Sequence, residues 1–168
     1  MRLFIAILLN DEVKSALKDA QNQMYEGCVY GNYAPEENLH LTLAFIGEYP
    51  DPDEVLEALD TVSFTPFELS LKGTGNFGDI WWAGLEDSLE LQAVVRRLRR
   101  ALSDHQIPFD RKSFRPHITL IRKARLKQGV PAISMQETSM KVEAISLMRS
   151  DRGKNGMIYT EIGVLKAD

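Results

Sequence analysis

His40-Leu41-Thr42-Leu43 and His117-Ile118-Thr119-Leu120 are two copies of one pattern, His-x-Thr-Leu, in a chain with only three histidines. Both lie in apolar, β-branched surroundings, the composition of strands. Side chains alternate faces along a strand, so residues i and i+2 point the same way. A strand through the first copy presents His40 and Thr42 together, with Leu41 and Leu43 behind them. The second copy presents His117 and Thr119, backed by Ile118 and Leu120. If the two strands lie side by side, two imidazoles and two hydroxyls surround one cleft. One His-x-Thr carries little weight, because lone strand histidines are usually structural. Two copies, each followed by leucine, are hard to reach by β-propensity alone.

The pair has a chemical use. Imidazole titrates at about 6.5, so near neutrality one ring can carry a proton while its partner does not. The neutral ring takes a proton from an attacking water or hydroxyl, and the protonated ring gives one to the departing oxygen. Thr42 and Thr119 can hydrogen-bond an anionic centre between them, and Arg122, five residues past His117, can add a cation. Phosphodiester cleavage needs these parts and requires neither a metal nor a covalent intermediate. A metal site would want three or four clustered ligands, and His105 stands apart at a helix end. No P-loop, Gly-x-Gly-x-x-Gly or Gly-x-Ser-x-Gly is present.

Outward from the motifs, Arg2 to Leu9 reads as a buried strand. Asn10 caps a helix carrying Val13, Ala16, Leu17, Ala20 and Met24 at helical spacing. Gly27 to Asn38 reads as a loop, and the first motif strand runs from Leu39 to Ile46. Asp51-Pro52-Asp53-Glu54 reads as a helix start with a capping box closed by Glu54. Phe67 to Leu71 alternates as a strand, Gly73 to Gly78 reads as a tight connection, and Ile80 to Leu85 reads as a strand. Ser88 caps a third helix that ends before Ile107-Pro108, with Leu91, Val94, Val95, Leu98 and Leu102 as its stripe. The second motif strand covers His117 to Arg122. Lys123 to Met135 has no strong pattern, Val142 to Arg149 is a strand, and Asp151 to Gly156 is a loop returning through Met157 to Val164. The order is β-α-β-α-β-β-α-β-β-β, with a helix before each motif strand. That echo suggests two lobes across a pseudo-twofold axis within one domain, residues 1–168. Phe77, Trp81 and Trp82 read mostly as core, with a base-stacking role at the cleft rim open to one of them; Tyr159 and Phe4 are open to the same two readings, core being favoured for Phe4.

Bulk properties bound the rest. The length suits one domain, and the composition is that of a globular protein, 44% hydrophobic and 26% charged. The lone Cys28 suits a reducing compartment. Leu3 to Leu9 is too short for a signal sequence and lacks a cleavage site, and no segment approaches membrane-spanning length. We expect a cytoplasmic monomer. Net charge is −4, yet Arg96 to Lys127 holds eleven Lys/Arg against two acids, +9, leaving −13 elsewhere. Arg96, Arg97, Arg99 and Arg100 read as a solvated helix face; Arg115 and Arg122 read as site residues.

These features together resemble the two-histidine (2H) phosphoesterase superfamily, specifically the LigT/ThpR-type RNA 2′,3′-cyclic phosphodiesterases. The resemblance rests on Arg2-Leu3-Phe4-Ile5-Ala6, His40 through Gly47, Phe77 leading to Trp82-Ala83-Gly84-Leu85, Phe114 through Arg122, and Ser146-Leu147-Met148 to Tyr159. It implies an α+β fold, two lobes of mainly antiparallel sheet around a central cleft with helices outside. It implies metal-free, cofactor-free hydrolysis of RNA 2′,3′-cyclic phosphate termini, or of nucleotides so terminated, to 2′-phosphates. His40 would donate a proton to the leaving 3′ oxygen, and His117 would activate water. Thr42, Thr119, Arg122, Arg115 and Tyr159 would bind substrate. Some relatives also make or open 2′-5′ linkages. Two other readings are a phosphodiesterase for a small cyclic nucleotide or nucleotide-sugar phosphate and a non-catalytic RNA-end binder using the basic segment.

Overall fold

The computed structural model describes residues 1–168. In chain order its elements are β1 (Arg2–Leu8), α1 (Asp11–Glu26), β2 (Val29–Tyr33), a 3₁₀ turn (Glu36–Asn38), β3 (His40–Glu48), α2 (Pro52–Asp60), β4 (Phe67–Phe77), β5 (Ile80–Leu85), α3 (Leu89–Asp104), β6 (Ile118–Leu126), β7 (Ser139–Val142), β8 (Ala144–Gly153) and β9 (Gly156–Lys166). The helices start where their caps predict. Asn10 accepts from the Val13 N–H at 2.9 Å, Ser88 from Leu91 at 3.1 Å, and Asp51 from Asp53 at 3.0 Å. Each satisfies an orphan donor of the first turn. The capping box expected at α2 does not form, because Asp51 accepts from the Asp53 N–H rather than from that of Glu54. Glu54 turns away from Asp51 and accepts from the Tyr49 hydroxyl.

The strands form two antiparallel sheets, β3-β1-β8-β9 and β2-β6-β5-β4-β7. Each sheet carries one motif strand, so the fold is α+β with two lobes. The helices are crossed between the lobes. The helix preceding the first motif strand, α1, packs on β2, β6 and β7 of the other sheet. The helix preceding the second, α3, packs on β3 while also touching β4, and α2 lies against α3 and β9. Leu41, Leu43, Ile118 and Leu120 are all buried, as strand alternation predicts. They join one apolar core with Leu3, Ile5, Ile7 and the inner stripes of α1 and α3. The opposite face of β1 is also covered: Phe4 and Ala6 pack with Met148, flanked by Phe45 and Tyr159. This explains why β1 is a continuous apolar run rather than an alternating one. No helix is long and apolar enough to cross a membrane.

Several boundaries differ from the sequence reading. The Gly27–Asn38 segment contains strand β2, with a bulge where Gly31 lies against β6. Gly31 has φ 154°, and a Cβ there would come 2.8 Å from Ile121 Cγ2. It marks close backbone approach rather than a break. Gly73 and Gly75 lie inside β4, and the turn comes only at Gly78-Asp79. A Cβ on Gly75 would collide with the Trp82 ring across the hairpin. Strand β6 runs on to Leu126, and β7 adds an edge strand that the sequence pattern did not reveal. The Asp151–Gly156 loop reduces to Lys154-Asn155, because Gly153 and Gly156 still pair.

Candidate active site

Strands β3 and β6 belong to different sheets and approach one another at the junction of the lobes. Between them lies a cleft of about 820 Å³ whose lining includes His40, Thr42, His117, Thr119, Arg122 and Tyr159. The structure thus brings together six of the seven site residues expected from sequence. The seventh, Arg115, has an exposed side chain outside this cavity; its main-chain carbonyl instead holds His117. No three His, Cys, Asp or Glu side chains converge as ligands for a metal.

Both imidazoles are anchored in the same way. Nδ1 of His40 is 2.7 Å from the Asn38 carbonyl, and Nδ1 of His117 is 2.7 Å from the Arg115 carbonyl, each two residues upstream. A carbonyl only accepts, so each Nδ1 carries the hydrogen and donates it, which leaves Nε2 for chemistry. Nε2 of His40 meets Thr42 Oγ1 at 2.9 Å. Both rings are also wedged by aromatics. Phe4 and Tyr159 lie 5.0 and 5.2 Å from His40, ring centre to ring centre. Phe77 and Trp82 lie 5.1 and 6.4 Å from His117. Trp81 and Phe4 are core residues as expected, but Phe77 is exposed and Trp82 only half-buried. The cross-strand pairing of Trp82 with Thr119 places it on the histidine's face. That register was not readable without the sheet order.

Burial holds His40 below the ordinary imidazole range. The Asn38 hydrogen bond opposes this shift, while Arg122 and His117 add to it by repelling a second positive charge.

Two side chains lock the motifs to one another. Gln21 on α1 is buried and donates from Nε2 to the carbonyls of Leu120 and Ala34, both at 3.0 Å. Leu120 closes the second motif, and Ala34 lies in the lead-in to the first. Arg99 on α3 donates from Nη1 to Lys112 O at 2.7 Å and from Nη2 to Leu43 O at 3.2 Å. Leu43 closes the first motif, and Lys112 lies in the lead-in to the second. The Arg99 guanidinium also lies 5.8 Å from the rings of both Phe109 and Phe114. It is therefore not part of the solvated face expected of the arginine run, whereas Arg96, Arg97 and Arg100 are exposed as expected. Exposed His105 serves only as the cap of α3, with Nδ1 2.8 Å from Ala101 O.

Residues 9–154 match the 2′-5′ RNA ligase superfamily. A Thermus thermophilus protein named RNA 2′,3′-cyclic phosphodiesterase is 34% identical over 180 residues, covering 95% of this chain and 87% of its own. An Archaeoglobus fulgidus protein of the same name is 30% identical over 180 residues, with 99% and 100% covered. Among solved structures, one from Thermus thermophilus aligns with TM-score 0.80 at 31% identity, covering 99% of this chain and 97% of its own. Escherichia coli LigT in apo form aligns with TM-score 0.83 at 24% identity, covering 99% and 96%, a likeness of fold.

Proposed function

The chain belongs to the 2′-5′ RNA ligase superfamily, and from that premise we propose that it is an RNA 2′,3′-cyclic phosphodiesterase working through His40 and His117. The observation that carries this reading is the pair of Nδ1-anchored imidazoles, His40 at the start of β3 and His117 immediately before β6, on a single cleft. In the proposed reaction a water oxygen bonds to phosphorus while His117 Nε2 takes its proton. The bond from phosphorus to the 3′ oxygen breaks, and His40 Nε2 protonates that oxygen, leaving a 2′-phosphate. The Thr42 and Thr119 hydroxyls donate to the non-bridging oxygens, and Arg122 offsets their charge. Tyr159 packs against His40 and walls the cleft. The acid role asks His40 to hold a proton that burial disfavours. The phosphodiester anion supplies the counter-charge, opposing the repulsion from Arg122 and His117. Both proton transfers are met by side chains, so the step needs no metal.

With a 5′-hydroxyl in place of water, the same transfers join it to phosphorus and expel the 3′ oxygen, making a 2′-5′ linkage; run in reverse, the 3′-hydroxyl attacks and the linkage opens. We further propose that residues 1–168 act as one domain, because the helix preceding each motif in the chain packs on the sheet of the other motif and grips that motif's leucine carbonyl. Both histidines and both threonines come from one chain, which supports a monomeric enzyme; we assign it to the cytoplasm. The test is product analysis on an oligoribonucleotide ending in a 2′,3′-cyclic phosphate, in EDTA. A 2′-phosphomonoester is expected. A 3′-phosphate product, or loss of turnover in EDTA, would overturn the mechanism.

A further inference from the structure

The catalytic cleft continues past His40. On the side of Phe4 and Tyr159 it opens into a second cleft of about 660 Å³, and the two share His40, Thr42 and Arg122. The second cleft adds Arg2 and Arg152. Strand register puts both on the catalytic face of their sheet. Arg2 pairs with Ser150 on β8, and Ser150 pairs with Tyr159 on β9. Arg152, two residues beyond Ser150, shares that face and pairs with Met157, which lines both clefts. The guanidinium of Arg2 lies over the Phe45 ring at 5.0 Å. The acids at this end are already engaged: Asp151 lies 2.9 Å from Arg149 Nε, and Glu48 accepts from the Met1 amino group at 2.8 Å. The catalytic cleft itself adds no Lys or Arg to the shared Arg122: the residues that line it alone include Asn32, Tyr33, Asn38, Asn155 and Asp110.

Building on the phosphodiesterase reading, we infer that Arg2 and Arg152 bind the phosphate backbone of the RNA strand 5′ to its cyclic terminus. The strand then has one direction through the molecule. The cyclic phosphate sits between His40 and His117. The preceding phosphates run past Tyr159 toward Arg2 and Arg152, and the lining that carries no cation of its own is left to groups without phosphate. Guanidinium groups lining a cleft that adjoins the reacting phosphorus suit a polyanion, and a mononucleotide would not reach Arg2 and Arg152. In a chain of net charge −4, this local reversal of sign concentrates the attraction along one path.

The experiment compares kcat/KM on a short cyclic-phosphate oligoribonucleotide with that on a 2′,3′-cyclic mononucleotide, across a salt series. The native protein is set beside Arg2→Gln/Arg152→Gln. Arg96→Gln/Arg97→Gln, on the exposed face of α3, serves as the control. The native preference for the oligonucleotide should fall severalfold in the Arg2/Arg152 variant. Its log–log salt slope should flatten by roughly 0.7 for each phosphate no longer neutralised, the single-strand value. The α3 control should keep both. An unchanged ratio and slope in the Arg2/Arg152 variant, or flattening in the α3 control instead, would overturn the inference. If the native protein turned over neither substrate, the phosphodiesterase reading would fail, and the strand path with it. Turnover of both with no arginine dependence would sink the path alone.

Discussion

Gln21 and Arg99 are each the eleventh residue of a 16-residue helix, and each bridges the leucine carbonyl of one His-x-Thr-Leu motif to the lead-in of the other. The pseudo-twofold echo in the sequence therefore extends to the hydrogen bonds that fix the spacing of the two motifs. Arg99→Leu leaves the half-buried Leu43 carbonyl without this donor, while the exposed Lys112 carbonyl turns to water, so the stability cost is about 1 kcal/mol, the low end for a lost hydrogen-bond partner. Sub-ångström to ångström displacement of reacting groups can cost up to about a hundredfold in rate. We expect Gln21→Leu and Arg99→Leu to lower kcat more than they raise KM, with Arg99→Lys recovering part of the loss. Folded variants with native kcat would show that the bridges serve stability alone.

Gly75 makes room for the Trp82 ring, which borders His117. Gly75→Ala forces that ring or the β4–β5 hairpin to shift, an overpacking cost of about 1–3 kcal/mol. Reduced thermal stability together with reduced kcat is expected. Gly129→Ala, where an added Cβ meets nothing within 4 Å, is the comparison and should change neither. Equal behaviour of the two variants, read by calorimetry and initial rates, would contradict the packing argument.

His40 should titrate below about 6.5 by NMR, because burial favours its neutral ring. Inorganic phosphate should raise the midpoint by opposing Arg122 and His117. The unfolded chain takes up the proton first, so the contribution of His40 to stability is present above about pH 6.5. It is lost as pH falls through the lower folded midpoint. Unfolding free energies of the native protein and His40→Asn should therefore differ in slope across that window. A His40 midpoint at or above the ordinary value, unmoved by phosphate, would contradict the electrostatic picture.

What the sequence made legible was local. The caps Asn10, Asp51 and Ser88, the stripes of α1 and α3, and the alternation in both motifs depend on neighbours a few residues away. What it hid depends on register between distant strands. Gly31 and Gly75 read as breaks, although each lets another chain segment approach inside a strand. Phe77 and Trp82 read as core until β5 was seen beside β6. Arg99 disappeared into a run of arginines. Gln21 did leave a trace, as the polar residue within the apolar stripe of α1. The basic excess at Arg96–Lys127 proved a poor guide to the cleft. Of its cations only Arg122 lines it, while Arg2 and Arg152 come from β1 and β8.

The most direct test is the turnover of a cyclic-phosphate oligoribonucleotide by His40→Ala, His117→Ala and the double variant, each confirmed folded by circular dichroism. Two rings acting on one phosphorus should fail as a unit. Each single change should remove most of kcat, and the double should be little worse than either. Near-native kcat in one single variant, or losses that multiply in the double, would mean that the imidazoles do not share a reaction.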